Sequence, residues 1–209
     1  MREQQEIQNS YDRVAEEYAA AFFKELEQKP FDRELLDRFA ERVGRQGQVW
    51  DIGCGPGHVA GYLYAHGIDV CGLDLSPQMV ACAQKLNPDI PFRQGTMLAL
   101  PLPAHTLRGI VSFYAIIHLG REEAQQALQE FARVLQPGGF LLLSCHRGEG
   151  ELHNEEWFGR PVTIDVTLFE GDEIERYTRQ AGFVDIEIRE THRVGEHARS
   201  AIVRARKPA

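Results

Sequence analysis

The sequence predicts an open α/β fold in which helices flank a mostly parallel β-sheet. Short apolar runs alternate with amphipathic segments over most of the chain, as they do in βαβ units. A glycine-rich turn follows the first apolar run, and open parallel sheets bind their ligands at such a position. The chain has 209 residues, of which 43% are hydrophobic and 26% charged, so its size and composition fit one globular domain.

The first part of the chain, residues 3–42, is polar and is predicted to be helical. Pro30 divides it, and a second helix is expected over residues 32–43. An aromatic stripe on the first helix either packs on the domain or covers a bound ligand as a lid. The residues at helical spacing are Tyr11, Val14, Tyr18, Phe22 and Phe23.

The middle of the chain predicts strands and helices in alternation, and the C-terminal part adds one helix and two strands. The expected strands are residues 48–52, 69–74, 91–94, 109–114, 139–145, 184–189 and 200–206. The expected helices are residues 57–66, 77–86, 121–135 and 172–181.

Residues 146–170 interrupt this order and are too many for a simple connection. A loop of this length in a compact domain is usually functional. Together with the N-terminal helices, it is expected to form a small helical and loop cap over the sheet edge. The single domain is thus divided into an N-terminal helical lid (1–43), a core (48–145), a cap insert (146–170) and a C-terminal helix with a strand pair (171–206).

The strongest single signal is the glycine-rich turn, Asp51-Ile52-Gly53-Cys54-Gly55-Pro56-Gly57. Glycine lets the backbone turn tightly and lets a ligand approach without a Cβ in the way. A nicotinamide dinucleotide loop is the competing interpretation, and it needs glycines at the first, third and sixth positions. Counted from the first glycine, the sixth position is His58. The spacing therefore does not match that loop, although a glycine turn alone is weak evidence.

A second signal is Asp74, which ends the second apolar strand beside the glycine turn. This carboxylate can accept hydrogen bonds from both hydroxyls of a ribose. Alternatively it caps the helix that begins near Pro77, although Ser76 fills that role more naturally. A third signal is the Pro-Gly-Gly at residues 137–139, which ends a helix and precedes an apolar strand. That pattern favours an architectural role.

Three motifs occur in this order along the chain: D-I-G-C-G-P-G (51–57), G-L-D-L-S-P-Q-M (72–79) and V-L-Q-P-G-G-F-L-L-L-S (134–144). In this order and spacing they resemble the class I S-adenosylmethionine-dependent methyltransferases, in particular the small-molecule branch known as methyltransferase type 11 or type 25. The resemblance extends over residues 48–205, and residues 11–18 look like the Y-D-x-x-A-x-x-Y segment whose first tyrosine closes over the donor. It implies a Rossmann-like seven-stranded sheet with its last strand antiparallel, S-adenosylmethionine as donor and S-adenosylhomocysteine as product.

The resemblance also implies which residues bind the donor. The glycines would line its methionine and ribose, Asp51 would bind its ammonium group, and Asp74 would hold the ribose hydroxyls. Leu75 and Met79 would pack against adenine. The pattern departs at Thr96, where the family usually has an acidic residue that accepts a hydrogen bond from adenine. The implied set is Tyr11, Asp51, Gly53, Cys54, Gly55, Gly57, Asp74, Leu75, Met79, Thr96, Met97 and Tyr114.

Methyl transfer from a sulfonium is an in-line displacement, in which the enzyme mainly aligns the nucleophile and excludes water. Where the acceptor must lose a proton, His118 is the candidate base, since imidazole titrates near neutral pH. The same histidine could instead anchor its loop through a backbone hydrogen bond, and both interpretations remain open. The His and Glu residues after residue 145 lack the spacing of a metal site, so no metal is expected. Residues expected near the acceptor are Tyr18, Phe22, His146, His153 and Trp157.

Three classes of function follow: methyl transfer to a small-molecule acceptor, transfer to a macromolecule such as tRNA or a protein side chain, and donor binding without catalysis. The first is preferred, because the net charge of −8 disfavours nucleic-acid binding. Phe113-Tyr114-Ala115 also stands where DNA amino methyltransferases carry Asn/Asp-Pro-Pro-Tyr/Phe. A basic face for RNA would have to come from arginines that strand alternation instead leaves on a solvated surface. These are Arg189, Arg193, Arg199, Arg204 and Arg206.

The cellular setting is predicted from three further features. The N-terminal sequence has no apolar core of a secretory signal, and no apolar run has the length that spans a bilayer. Cys54, Cys71, Cys82 and Cys145 lack a C-x-x-C spacing and are expected to be reduced thiols. We therefore expect a cytoplasmic protein that binds neither DNA nor membrane. The sequence carries no signal for its oligomeric state.

Overall fold

A computed structural model describes residues 4–191 and 199–209 of the chain. None of the helices in these two ranges combines the length and the apolar character that crossing a bilayer requires. The helices are α1 (Gln4–Phe22), α2 (Pro30–Val43), α3 (His58–Ala65), α4 (Pro77–Leu86), α5 (Arg121–Val134) and α6 (Gly171–Gln180). The strands are β1 (Val49–Ile52), β2 (Val70–Asp74), β3 (Phe92–Gln94), β4 (Leu107–Phe113), β5 (Leu135–Arg147), β6 (Glu151–Trp157), β7 (Arg160–Thr167), β8 (Val184–Thr191) and β9 (Arg199–Arg206).

Seven of the strands form one sheet, in the order β3-β2-β1-β4-β5-β9-β8. Strands β1 to β5 pair in parallel, and β9 runs antiparallel to both β5 and β8. The predicted seven-stranded sheet with an antiparallel last strand is therefore confirmed. Because β1, β2 and β4 are parallel neighbours, their carboxyl ends meet at one edge of the sheet, where open α/β folds bind ligands.

Two hydrophobic clusters cover the two faces of this sheet, because successive side chains of a strand point to opposite faces. Trp50 and Ile52 of β1 point to one face and belong to the cluster that includes Phe131 of α5. Val49 points to the other face and belongs to the cluster that includes Leu35 of α2. Each such buried side chain contributes about 1.5–3 kcal/mol. The clusters hold β1, and the glycine turn that follows it, in a fixed place.

The cap insert is more regular than the sequence predicts. Instead of a loop, it contains a second sheet in which β6 and β7 pair antiparallel. Val162, Ile164 and Val166 of β7 are buried, and β7 packs against α1. This period-two alternation is typical of a half-buried strand. The partner strand β6 is exposed along its length except at the half-buried Trp157.

The boundary between α5 and β5 also differs from the prediction. β5 begins at Leu135, directly after the helix, whereas the sequence predicts a strand from residue 139. Leu135 pairs with Leu107 of β4, and after a register shift Phe140 pairs with Gly109. The Pro-Gly-Gly therefore lies within an irregular part of the strand and does not precede it.

Candidate active site

The glycine turn packs closely on the neighbouring elements. Gly53, Gly55 and Gly57 have φ angles of 75°, 50° and 80°, which side-chain-bearing residues rarely adopt. A Cβ at Gly53 would lie 2.1 Å from the Cβ of Ala115, and one at Gly57 would lie 2.7 Å from Cζ of Phe92. The turn thus needs glycine both for its backbone conformation and for its contact with the segment after β4.

Asp74 is held in place by backbone groups on both sides. Its Oδ2 accepts a hydrogen bond from N of Gly55 (2.8 Å), and its Oδ1 accepts one from N of Ser76 (2.9 Å). The hydroxyl of Ser76 accepts from N of Met79 (3.0 Å) and caps α4, so Asp74 is not the helix cap. Each carboxylate oxygen keeps a further lone pair for a ligand. Burial raises the pKa of Asp74 to about 6.

A cavity, which we call the central cavity, opens above the carboxyl ends of β1, β2 and β4. Asp74 forms part of its wall, and α1 covers it with Gln4, Ile7 and Tyr11. Its lining contains nine of the twelve predicted donor-binding residues. These are Tyr11, Gly53, Gly55, Asp74, Leu75, Met79, Thr96, Met97 and Tyr114.

The other three predicted residues do not line the central cavity. The Oδ2 atom of Asp51 accepts a hydrogen bond from N of Ala60 (3.0 Å) in the first turn of α3, and burial raises the pKa of this carboxyl group to about 7. The side chain of Cys54 is buried in the hydrophobic cluster that contains Val49. Gly57 is the residue before the first turn of α3.

Thr96 lies in the wall of the central cavity, at the position where the family usually has a carboxylate. Its hydroxyl accepts a hydrogen bond from N of Leu98 (3.2 Å), two residues further on. Met97 also lines the cavity, and its terminal methyl group lies 3.6 Å from the position that a Cβ on Gly53 would take. The loop after β3 therefore offers one neutral hydroxyl and one apolar side chain to a ligand.

A second cavity, which we call the aromatic cavity, adjoins the central one. The two share Tyr11, Tyr18, Tyr114 and His118 as a common wall. The ring of Tyr18 lies 4.6 Å from that of Phe22 and 5.3 Å from that of Trp157, measured between centroids. The remaining lining residues are Phe22, Glu25, Lys29, Ile117, His146, Asn154, Trp157, Ile164 and Val166.

His118 forms a hydrogen bond at each ring nitrogen. Nδ1 lies 3.1 Å from the backbone oxygen of Asp165 in β7, and Nε2 lies 2.6 Å from the hydroxyl of Tyr11. A carbonyl oxygen only accepts, so Nδ1 carries the proton and Nε2 accepts from Tyr11. The histidine is therefore anchored by the backbone and also presents a basic nitrogen in the common wall. The two interpretations that the sequence leaves open are both compatible with this geometry.

Tyr114 follows β4 with a φ of 53°, which is uncommon for a residue with a side chain. Its backbone N donates to the carbonyl (3.1 Å) and the hydroxyl (3.0 Å) of Ser144, and its own hydroxyl donates to that of Ser200 (3.1 Å). Such a conformation costs about 1–3 kcal/mol and occurs often at functional sites. Here it directs the ring into the wall between the two cavities.

Four of the five residues expected near the acceptor line the aromatic cavity, namely Tyr18, Phe22, His146 and Trp157. His153 does not. It lies on the exposed strand β6, where its Nδ1 is 2.6 Å from the carboxylate of Asp165. That hydrogen bond raises the pKa of His153 above its ordinary value. Its side chain points along the hairpin surface because alternate residues of a strand face opposite sides.

Several residues that line the two cavities were not predicted from the sequence. Gln4 and Ile7 precede Tyr11 at helical spacing, so the stripe itself could have revealed them. Ala115 could have been inferred only from its contact with the glycine turn. Glu25 and Lys29 form an ion pair at 2.7 Å at one end of the aromatic cavity, and no pattern in the sequence marks them.

The arginines considered as an RNA-binding face are paired with acidic residues where the structure describes them. Arg189 and Arg204 both contact Glu187, and Arg206 lies 2.7 Å from Asp185. Arg193 and the side chain of Arg199 lie outside the described residues. Within residues 4–191 and 199–209, no three His, Cys, Asp or Glu side chains converge in a way that suits a metal ion.

Comparisons with known proteins agree on the class to which this fold belongs. Residues 49–139 match the family model of a methyltransferase domain. Malonyl-[acyl-carrier protein] O-methyltransferase of Enterobacter lignolyticus is 32% identical over 139 residues, which are 66% of this chain and 53% of that protein. Demethylmenaquinone methyltransferase of Chlorobaculum parvum is 32% identical over 96 residues, which are 46% of this chain and 39% of that protein. The chain spans about half the length of the curated relatives it matches.

A solved structure extends the likeness of the fold over nearly the whole chain. Magnesium protoporphyrin IX methyltransferase from Synechocystis PCC 6803, solved with bound S-adenosylmethionine, superimposes with a TM-score of 0.76 and covers 99% of this chain and 98% of that one. Its sequence is 16% identical, so this comparison concerns the fold alone. The matched family model and the curated relatives identify residues 49–139 as a methyltransferase domain of the class I S-adenosylmethionine-dependent type, and the solved structure has the same fold.

Proposed function

We propose that this protein transfers a methyl group from S-adenosylmethionine in the central cavity to a small-molecule acceptor in the aromatic cavity. One observation carries the proposal: the two cavities meet at a common wall formed by Tyr11, Tyr18, Tyr114 and His118. A methyl group that leaves one cavity through this wall would enter the other directly. Bringing donor and acceptor together in line is the main contribution of such an enzyme to catalysis.

The residues of the central cavity suit each part of the donor. The glycine turn leaves room for the methionine moiety, because no Cβ projects there. Asp74 keeps a lone pair on each oxygen for the two ribose hydroxyls. Leu75 and Met79 offer apolar contacts to adenine, and Thr96 or a nearby backbone carbonyl replaces the usual acidic residue as its hydrogen-bond acceptor.

The aromatic cavity supports a partly apolar acceptor that loses a proton during transfer. Nε2 of His118 is the basic nitrogen in the wall, and the hydroxyl of Tyr11 occupies it. The hydroxyl of Tyr11 would therefore donate its proton to Nε2 of His118 and accept the proton that the acceptor loses. Burial raises the pKa of Tyr11 well above its ordinary value, so the two transfers would be concerted and would avoid a free phenolate. The backbone oxygen of Asp165 would stabilise the resulting imidazolium.

A macromolecular acceptor is the alternative, and the paired arginines of β8 and β9 give it no support. Two measurements on one preparation test the proposal. Calorimetry is expected to detect binding of S-adenosylhomocysteine but not of NAD or NADP. Methyl transfer from labelled donor is expected with members of a small-molecule library that contains phenols, carboxylic acids, amines and activated carbon acids. Transfer to RNA or protein alone, or donor binding without any transfer, would contradict the small-molecule assignment.

A further inference from the structure

We infer that Asp12 of α1 is a positioning residue for Asp74, and that it acts through the hydroxyl and backbone of Ser76. This inference rests on the proposed function, in which Asp74 binds the ribose of the donor. Asp12 belongs to the N-terminal helix and is far from Asp74 in sequence, yet the two carboxylates lie on either side of one serine. Asp12 is absent from the lining of the central cavity, so it would not touch the donor itself.

The contacts form a short chain of hydrogen bonds. Oδ1 of Asp12 accepts from the hydroxyl of Ser76 at 2.6 Å and from N of Gln78 at 3.2 Å. The same hydroxyl accepts from N of Met79, and the backbone N of Ser76 donates to Oδ1 of Asp74. Ser76 is 1% exposed, so water does not replace a lost partner easily.

The direction of each bond explains why Asp12 matters. A serine hydroxyl can donate only one hydrogen bond, and at Ser76 this bond goes to Asp12. The lone pairs of that hydroxyl are then directed at Met79, which fixes Ser76 at the start of α4. With Ser76 fixed, its backbone N–H points at Asp74 and holds one carboxylate oxygen while Gly55 holds the other. Charge-assisted bonds of this kind are shorter and stronger than neutral ones.

The same helix provides a control for the alternative that Asp12 only attaches α1 to the rest of the domain. Ser10 is two residues from Asp12, and its hydroxyl bonds to the backbone of Thr163 in β7, donating to O at 3.2 Å and accepting from N at 2.9 Å. Replacing Ser10 therefore weakens the attachment of α1 to the hairpin and leaves the ribose side untouched. If Asp12 served only to hold the helix down, the two replacements would act alike.

The test is the affinity for S-adenosylhomocysteine, measured by calorimetry on Asp12→Ala, Asp12→Asn, Ser10→Ala, Asp74→Ala and Asp12→Ala/Asp74→Ala. Asp12→Ala is expected to raise Kd by about 3- to 10-fold, the effect of losing one oriented hydrogen bond. Asp12→Asn keeps an accepting oxygen and is expected to recover most of this loss. The double variant is expected to bind no more weakly than Asp74→Ala, because Asp12 acts only through Asp74. Ser10→Ala is expected to leave Kd unchanged.

The outcomes separate the inference from the function on which it rests. Additive effects of the Asp12→Ala and Asp74→Ala substitutions, or equal losses in Asp12→Ala and Ser10→Ala, would overturn the inference alone. An unchanged Kd in Asp12→Ala together with a weakened Asp74→Ala would do the same. An unchanged Kd in Asp74→Ala would overturn the ribose assignment in the proposed function. Melting temperatures of the unliganded variants show whether each one is folded, and Asp12→Asn provides the folded test if Asp12→Ala is not.

Discussion

The hydroxyl of Tyr11 lies 2.6 Å from Nε2 of His118, and the two rings meet edge to face with their centroids 5.2 Å apart. One residue comes from the N-terminal helix and the other from a short turn after β4. Both line the two cavities. This contact therefore joins α1, which covers the central cavity, to the turn after β4. His118 in that turn is the only histidine shared by the linings of the two described cavities.

The first prediction concerns this pair. Tyr11→Phe keeps the ring and removes the hydroxyl, and His118→Gln removes the basic nitrogen. Each is expected to lower kcat by about 100- to 10,000-fold, the usual contribution of a positioned acid or base. The affinity for S-adenosylhomocysteine is expected to change little. The double variant is expected to be no slower than His118→Gln, and independent, multiplicative losses would show that the two residues do not act as one unit.

The second prediction concerns pH. The pKa of Asp74 is raised to about 6 by burial, so the carboxyl group loses its proton above that pH and gains one below it. Ribose hydroxyls donate to the ionised form. Donor affinity is therefore expected to be full at neutral pH and to fall as the pH decreases through about 6. Calorimetric titrations with S-adenosylhomocysteine at several pH values measure this. Asp74→Asn is the control: it is expected to bind more weakly and to lose this pH dependence, and an unaltered profile would show that a group other than Asp74 titrates.

The third prediction concerns Trp157, which lines the aromatic cavity and contacts Tyr18. Trp157→Ala is expected to raise the KM for the acceptor, because the cavity loses its largest apolar wall. Donor affinity is expected to remain within about twofold, since Trp157 does not line the central cavity. Leu152→Ala on the same strand is the matched control, because Leu152 is exposed and lines neither cavity. Equal effects of both replacements would indicate damage to the hairpin as a whole.

The fourth prediction concerns the glycine turn. Gly53→Ala adds a Cβ at a φ of 75° and 2.1 Å from the Cβ of Ala115. The combined strain is expected to lower the free energy of unfolding by about 2–5 kcal/mol. Gly150→Ala has a similar φ of 77° with no atom within 4 Å of the added Cβ, so it isolates the backbone cost of about 1–2 kcal/mol. Urea denaturation compares the two, and the double variant Gly53→Ala/Ala115→Gly is expected to recover part of the difference.

Much of the fold could be predicted from local patterns. Trp50 and Ile52 alternate with Val49 across a buried strand, and the glycine turn after them marks the ligand edge of the sheet. The motif at residues 72–79 also predicted that Asp74, Leu75 and Met79 lie close together, because all three are within a few residues of the end of β2. The order of the strands came from the resemblance to a family, since periodicity alone does not say which strands are neighbours.

The contacts between distant segments could not be predicted in this way. Asp165 meets His118 through its backbone oxygen, and a backbone oxygen leaves no mark on the sequence. The bond between Asp12 and Ser76 depends on how α1 crosses α4, which is set by packing and not by spacing. The position of His153 outside the aromatic cavity could not be predicted for a related reason, because the direction of a side chain on β6 depends on a pairing register that an isolated polar strand does not reveal.

Helix α1 and the β6–β7 hairpin differ in which cavities they line. Residues of α1 line both cavities, so a substitution on this helix that reshapes the aromatic cavity also alters the central cavity. The hairpin contributes Asn154, Trp157, Ile164 and Val166 to the aromatic cavity and nothing to the central one. Under the proposed function, substitutions in β6 and β7 are therefore expected to change acceptor preference and to leave donor binding unchanged. In a library of variants designed to change the acceptor, the substitutions are best placed on the hairpin, and α1 is best left unchanged.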